Sequence, residues 1–340
     1  MPERNLTVRN IARILQRKGV ERKMFDHHHH HQEAAMLKPN RSHAFARPAS
    51  MVLGAVLLSL ATAATAGATL DRIRATGKIV LGHRESSNPF SYLDADKRPV
   101  GYAVDLCLKL ADAVKKKLDM KTLAIEYVLV TASNRITMVE EGKVDMECGS
   151  TTNNAERRNK VAFTVPHYIT GARYMVRSNE TATDIVGLEG RRVVSTKGTT
   201  PIKAVERINR ERVLRLVLQE APDHARAVEM VEKSESDAFV MDDVLLYGLI
   251  ASRAQPEKLK VIGKFLTVEP LAIMLPKGDA EFKALIDSEM KRMIVSKEAQ
   301  AIYDRWFMKP IPPKNTSLNL PMNYLLRDFW KYPTDQVPGV

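Results

Sequence analysis

At 340 residues, with 44% hydrophobic and 27% charged residues, the chain is long enough for two domains and too apolar to be disordered throughout. Its net charge of +12 is uneven: residues 1–66 hold ten Lys and Arg against four Asp and Glu, which leaves +6 on the remainder. That mild, dispersed excess argues against nucleic-acid binding, and two cysteines with no C-x-x-C spacing argue against a zinc or redox motif.

Residues 1–35 fit no domain pattern, and the run His27 to His31 reads as low-complexity sequence or a start assigned too far upstream rather than a metal site. From Met36 the pattern is that of an export signal. Lys38, Arg41 and Arg47 are followed by the apolar run MVLGAVLLSLA (51–61) and the A-x-A site Ala64-Thr65-Ala66. That run is shorter than the ~20 residues needed to cross a bilayer. Cleavage near Ala66 and a periplasmic mature chain are therefore expected, with a retained anchor as the alternative.

A short helix over Thr69–Ala75 and a break at Gly77 precede the strand KIVLGH, whose Ile79, Val80 and Leu81 suit a parallel sheet buried on both faces. Arg84 then emerges at the carboxyl end of that strand, where open α/β sheets bind ligands. Turns at Asn88-Pro89 and 94–97 lead into an amphipathic helix over Tyr102–Leu118. The strand Ile125–Val130 ends in TASNR, with Ser133 expected to cap a helix that carries Arg135 in its first turn. A cation there opposes the helix dipole unless it answers an anion.

The stretch VDMECGSTTNNAERRNKVAFTVPHY (144–168) reads as a strand broken at Gly149 and a turn presenting Ser150, Thr151 and Thr152. Arg157 follows a helical turn later, before a second strand. Hydroxyls, free backbone N–H groups and a planar guanidinium suit a small carboxylate. Past Tyr168 come the strand ARYMVR, a helix started by Thr183, a strand ending at Ser195, and the turn Gly198-Thr199-Thr200 with Pro201 near the first helical position. LRLVLQE is a strand, His224 opens a helix, and the strand Ala238–Met241 ends on Asp242. An apolar strand over Val268–Leu275, helices over Ala280–Ile294 and around Glu298–Trp306, and the extended PIPPKN complete the chain. Strands alternating with helices predict parallel α/β units in two lobes.

Arg84, Arg135 and Arg157 lie just past strand ends, as does one acid, Asp242. Converging, they would receive a zwitterion, and the surplus of arginine favours an acidic amino acid over a neutral one. His224 is either a helix-start residue or a donor to the ligand. No Ser-His-Asp order, H-E-x-x-H or G-x-x-x-x-G-K-[ST] motif is present. Cys107 sits in a helix and Cys148 beside the hydroxyl turn, so paired and free thiols both stand open.

The segments GHRESSNPFSY (82–92), NRI (134–136), ECGSTTNNAERR (147–158), GTT (198–200), DH (223–224), MDD (241–243) and PIPPKN (310–315) resemble the family 3 extracellular solute-binding proteins. Within them, the likeness is to periplasmic glutamate/aspartate receptors of ABC importers. The resemblance implies a type II periplasmic binding protein fold with two crossing hinge strands, lobe 1 built from 70–166 and 266–340 and lobe 2 from 167–265. It implies that Arg157, Ser150, Thr152 and Thr200 hold the α-carboxylate of L-glutamate or L-aspartate, that Asp242 holds the ammonium, and that Arg84, Arg135 and His224 hold the side-chain carboxylate. It further implies a monomer that hands its ligand to a membrane permease, with no cofactor, metal or catalysis.

Two departures stand out: Ala132 replaces a serine of such receptors, and the late strand LAIML lacks the cysteine that pairs with the Cys of ECGS. Cys148 is thus expected to be unpaired unless Cys107 reaches it. The rival reading is a dehydratase-like enzyme on the same fold acting on a small carboxylate, with a cleft acid as proton donor. A receptor's sensing module, the third reading, would need a transmembrane portion after residue 340.

Overall fold

The computed structural model describes residues 67–337; the N-terminal extension, the export signal and its cleavage at Ala66 lie outside the described residues. Helix α1 (Ala68–Thr76) leads into strand β1 (Lys78–His83), then β2 (Ser86–Ser87), β3 (Ser91–Leu93) and β4 (Pro99–Val100). Helix α2 (Tyr102–Lys117), β5 (Ala124–Leu129), α3 (Arg135–Glu140), β6 (Met146–Thr152), α4 (Ala155–Arg158), β7 (Val161–Phe163) and β8 (Tyr168–Thr170) follow. The middle of the chain forms β9 (Ala172–Arg177), β10 (Arg192–Thr196), α5 (Pro201–Arg212), β11 (Val217–Ala221), α6 (His224–Glu232), β12 (Ala238–Asp242), α7 (Asp243–Ser252) and β13 (Leu259–Ile262). The end supplies β14 (Glu269–Pro276), α8 (Ala280–Val295), α9 (Glu298–Phe307) and α10 (Tyr324–Phe329).

Two mixed sheets carry the architecture. The first has the order β5-β1-β6-β14-β7, with β8 also paired to β14, and the second β11-β10-β12-β9-β13. In each, the parallel strands arise from strand-helix-strand crossovers, while β14 in the first and β9 in the second run antiparallel to their neighbours. The chain crosses between sheets twice, from β8 into β9 and from β13 back to β14. The two crossings touch where Leu266 N–H donates to Ala172 O and Ala172 N–H to Thr267 Oγ1.

Helix α2 forms because Leu106, Leu110 and Val114 recur every four residues, giving one apolar stripe that is fully buried. That stripe lies under the first sheet beside α8 and α9. Cys107 on this stripe is bonded to Cys148 of β6, which decides between the paired and free thiols that the sequence left open: Cys107 does reach Cys148, because the helix lies against the strand with Cα atoms 6.2 Å apart. Three local readings also change. Strand β6 runs unbroken through Gly149, so Ser150, Thr151 and Thr152 sit on a strand rather than in a turn. Ser133 does not cap α3; Asn134 and Thr131 bond reciprocally there, and Ser133 Oγ donates to Lys197 O. The helix expected from Thr183 is only a 3-10 turn over Val186–Leu188.

Candidate ligand-binding site

The carboxyl ends of β1, β6, β10 and β12 gather at one seam between the sheets. Gly82 pairs with Glu147, placing Arg84 just beyond the point where β1 leaves β6. Arg157 follows from Asn154, whose side chain accepts the Arg157 N–H at 2.9 Å and so starts the short helix α4. From the second sheet, Asp223 caps α6 the same way, accepting the Arg226 N–H at 2.8 Å and presenting His224 at the seam. Thr200 precedes Pro201 at the start of α5, but its hydroxyl leaves the helix end and donates to Glu269.

Arg84, Arg135, Thr152, Arg157, Thr200, His224 and Asp242 interact with one another or with shared neighbours at this seam, and Ser150 is buried on the adjoining β6 without a contact that ties it to them. Arg84, Arg135, Ser150, Thr152, Arg157, His224 and Asp242 are all buried, at 8% exposure or less, and Thr200 is partly buried. The sheets close over them. Gly198 O of the second sheet's turn accepts from Arg135 Nη2 at 3.2 Å and Arg157 Nη2 at 3.3 Å. Lys203 reaches Glu156 at 3.1 Å, and Ala225 N–H donates to Ser86 Oγ at 3.3 Å. Gly198 has φ +84, and a Cβ there would meet Ala132 O at 2.5 Å, so only glycine lets the turn lie this close.

Burying three guanidinium groups together is unfavourable. Burial, and then the Arg135 charge, push both Arg84 and Arg157 down to about 9, and burial lowers Arg135 too. A guanidinium holds its proton at neutral pH regardless, so these shifts measure how strongly the cluster calls for opposing charge. Burial and the neighbouring Arg84 and Arg135 keep His224 neutral. Its Nδ1 lies 2.6 Å from Thr196 Oγ1; a proton donated by that hydroxyl leaves Nε2–H as a free donor. Asp242 is raised by burial and by Glu269.

Two buried acids of the site were not singled out in the sequence. Glu147 accepts Thr151 Oγ1 at 2.8 Å, and Thr151 in turn accepts Arg135 Nη1 at 3.0 Å. Glu269 accepts Thr152 Oγ1 at 2.6 Å, Thr200 Oγ1 at 2.9 Å and Thr267 Oγ1 at 3.0 Å. With Asp242 they balance the three arginines, so the surplus of positive charge inferred from arginines alone is not there. What remains is a set of unmatched atoms. Arg84 Nη1, Arg135 Nε and His224 Nε2 on the donor side, and Glu147 Oε1 and Asp242 Oδ1 on the acceptor side, are buried without a hydrogen-bond partner among the described residues. Each such atom costs roughly 1–3 kcal/mol if left unpaired, and donors and acceptors of these kinds could pair with the carboxylate and ammonium groups of a small molecule.

Fold and seam together define a two-lobed α/β binding protein. The model of the bacterial extracellular solute-binding proteins, family 3, matches residues 79–309, and the chain belongs to that family. It is 40% identical over 286 residues to an L-glutamate/L-aspartate-binding protein of Pseudomonas aeruginosa, covering 84% of this chain and 95% of that one. It is 38% identical over 274 residues to a glutamate/aspartate import solute-binding protein of Escherichia coli, covering 81% and 91%. Among solved structures, the P235GK mutant of ArgBP from T. maritima is similar with a TM-score of 0.63 at 22% identity, covering 71% of this chain and 100% of that one. An ancestral arginine-binding protein bound to arginine gives 0.61 at 22%, covering 68% and 98%. The fold is therefore that of the type II periplasmic binding proteins.

Proposed function

We propose that the protein is a periplasmic receptor for L-glutamate and L-aspartate that delivers them, as a monomer and without chemistry, to an ABC permease in the membrane. The observation that carries this is the set of buried, unmatched donors on Arg84, Arg135 and His224 together with the unmatched Asp242 oxygen. The names of the relatives support the ligand class. Arg157 and Ser150 take the α-carboxylate, and Asp242 takes the ammonium. Arg84, Arg135 and His224 take the side-chain carboxylate, and Thr152 and Thr200 line the α-end. Residues 70–166 and 266–340 form one lobe and 167–265 the other; a ligand touching both converts binding energy into closure that a permease can read. The dehydratase reading needs a cleft acid that protonates a leaving group, whereas the relatives named above are binding proteins, which favours capture without chemistry.

Equilibrium dialysis of the purified protein with labelled L-glutamate tests the reading. Unlabelled aspartate displaces the label at equimolar concentration, and glutamine fails to do so at a hundredfold excess. Displacement by glutamine at equimolar concentration rejects the acidic ligand.

A further inference from the structure

Glu269 opens β14 at the second crossing between the sheets and is 2% exposed. Its Oε2 accepts from Thr152 Oγ1 of the first sheet at 2.6 Å and from Thr200 Oγ1 of the second at 2.9 Å. Its Oε1 accepts from Thr200 at 2.9 Å and from Thr267 Oγ1 at 3.0 Å. A hydroxyl has one proton and two lone pairs, and an ionised carboxylate only accepts. Thr152 and Thr200 therefore give their protons to Glu269. A ligand at the seam meets only the lone pairs of these two oxygens.

Lone pairs repel a carboxylate and receive an ammonium. A second observation points the same way: Asp242 Oδ1 is buried without a partner among the described residues, and the Glu269 charge acts on it. Arg157 faces Glu269 but donates to Thr152 O and Gly198 O instead, leaving the carboxylate to the hydroxyls.

Resting on the reading of the site as an amino-acid receptor, we propose that Glu269 is a positioning residue for ammonium recognition: by taking the protons of Thr152 and Thr200 it turns their lone pairs, alongside Asp242, toward a cation. Thr152 and Thr200 then belong to the ammonium end rather than to the α-carboxylate. The discrimination set by Glu269 is between α-amino acids and the corresponding diacids that lack the amino group. An amide at this position accepts from one hydroxyl and donates to the other, so one threonine proton is released toward the ligand and the wall loses its single polarity.

Titration calorimetry with L-glutamate and with glutarate, which keeps both carboxylates and lacks the ammonium, tests this in the wild type, Glu269→Gln and Thr152→Val. The wild type prefers glutamate by at least a hundredfold, and each variant lowers that preference at least tenfold, chiefly by weakening glutamate. A merely structural role weakens both ligands by the same factor, because both need the same closed seam; an unchanged ratio in Glu269→Gln overturns the inference, and so does a wild type that prefers glutarate. If the wild type instead binds a different amino acid, the acidic-ligand reading fails by itself. The same ratio, taken against that amino acid's deaminated analogue, then decides the role of Glu269.

Discussion

Arg84 shows what a single residue contributes and how far it could be read ahead. Its placement followed from KIVLGH reading as a buried parallel strand, since the residue past such a strand must appear at the ligand-binding edge. Arg135, Arg157 and Asp242 were legible on the same ground. Glu147 and Glu269 were not, because an acid in a strand-like run ordinarily marks the solvent face. A signal existed for Glu147: Asp145 just before β6 and Glu147 within it alternate along a run that is buried throughout, which two unsatisfied acids could not occupy. Asp145 is answered by Arg72 and by Val80 N–H, whereas Glu147 keeps one oxygen free. Removing Arg84 leaves a ligand carboxylate poorly paired, which costs roughly 2–5 kcal/mol. Calorimetry on Arg84→Ala is thus expected to show at least a thirtyfold loss of glutamate affinity and a much smaller loss for glutamine; equal losses remove Arg84 from the side-chain end.

Strand β6 is the element on which the site turns, since it supplies Glu147, Ser150, Thr151 and Thr152 and is anchored from behind by Cys148 to Cys107 of α2. The pairing could not be read from sequence, because an α-helix and a strand far apart in the chain reveal their contact only once packed. Closing a loop with a sequence separation of 41 removes entropy from the unfolded chain worth about 4 kcal/mol. Urea unfolding of the Cys107→Ser, Cys148→Ser double variant is expected to show a loss of about 3–4 kcal/mol; a loss below about 1 kcal/mol contradicts a stabilising clamp. The turn before α5 makes a second element-scale prediction. Gly198→Ala adds a methyl that strikes Ala132 O and strains a positive φ, so the sheets cannot meet as closely. Glutamate affinity falls at least tenfold by calorimetry, and wild-type affinity in this variant means that the contact across the seam is not required.

At the scale of the whole molecule, the strand-helix alternation was sufficient to read two α/β sheets, and the boundaries of β1 and β9 match the runs KIVLGH and ARYMVR. Which strand ends would face each other depends on the two crossings, whose contacts join residues about 95 apart, and no local pattern encodes them. The closed, buried seam also gives the protein a characteristic acid response. Burial lowers His167 to about 3 and holds His224 well below its ordinary value. A histidine depressed in the folded state contributes stability that is full above about pH 6.5 and is lost as pH falls toward about 3. The thermal midpoint is expected to fall between pH 7 and pH 4. His167→Gln, whose amide nitrogen reaches the Nε2 position and retains a donor for Gly149 O, should flatten that fall, and an unchanged slope contradicts the assignment.

The central claim is that the unmatched donors of Arg84, Arg135 and His224 and the unmatched carboxylate oxygen of Asp242, brought together from separate strands of two sheets, select a zwitterion with a second carboxylate. Titration calorimetry of the purified protein against the twenty common amino acids tests it most directly. The account predicts micromolar or tighter binding for L-glutamate and L-aspartate, with every neutral and basic amino acid at least a hundredfold weaker. A neutral amino acid bound as tightly as glutamate contradicts it.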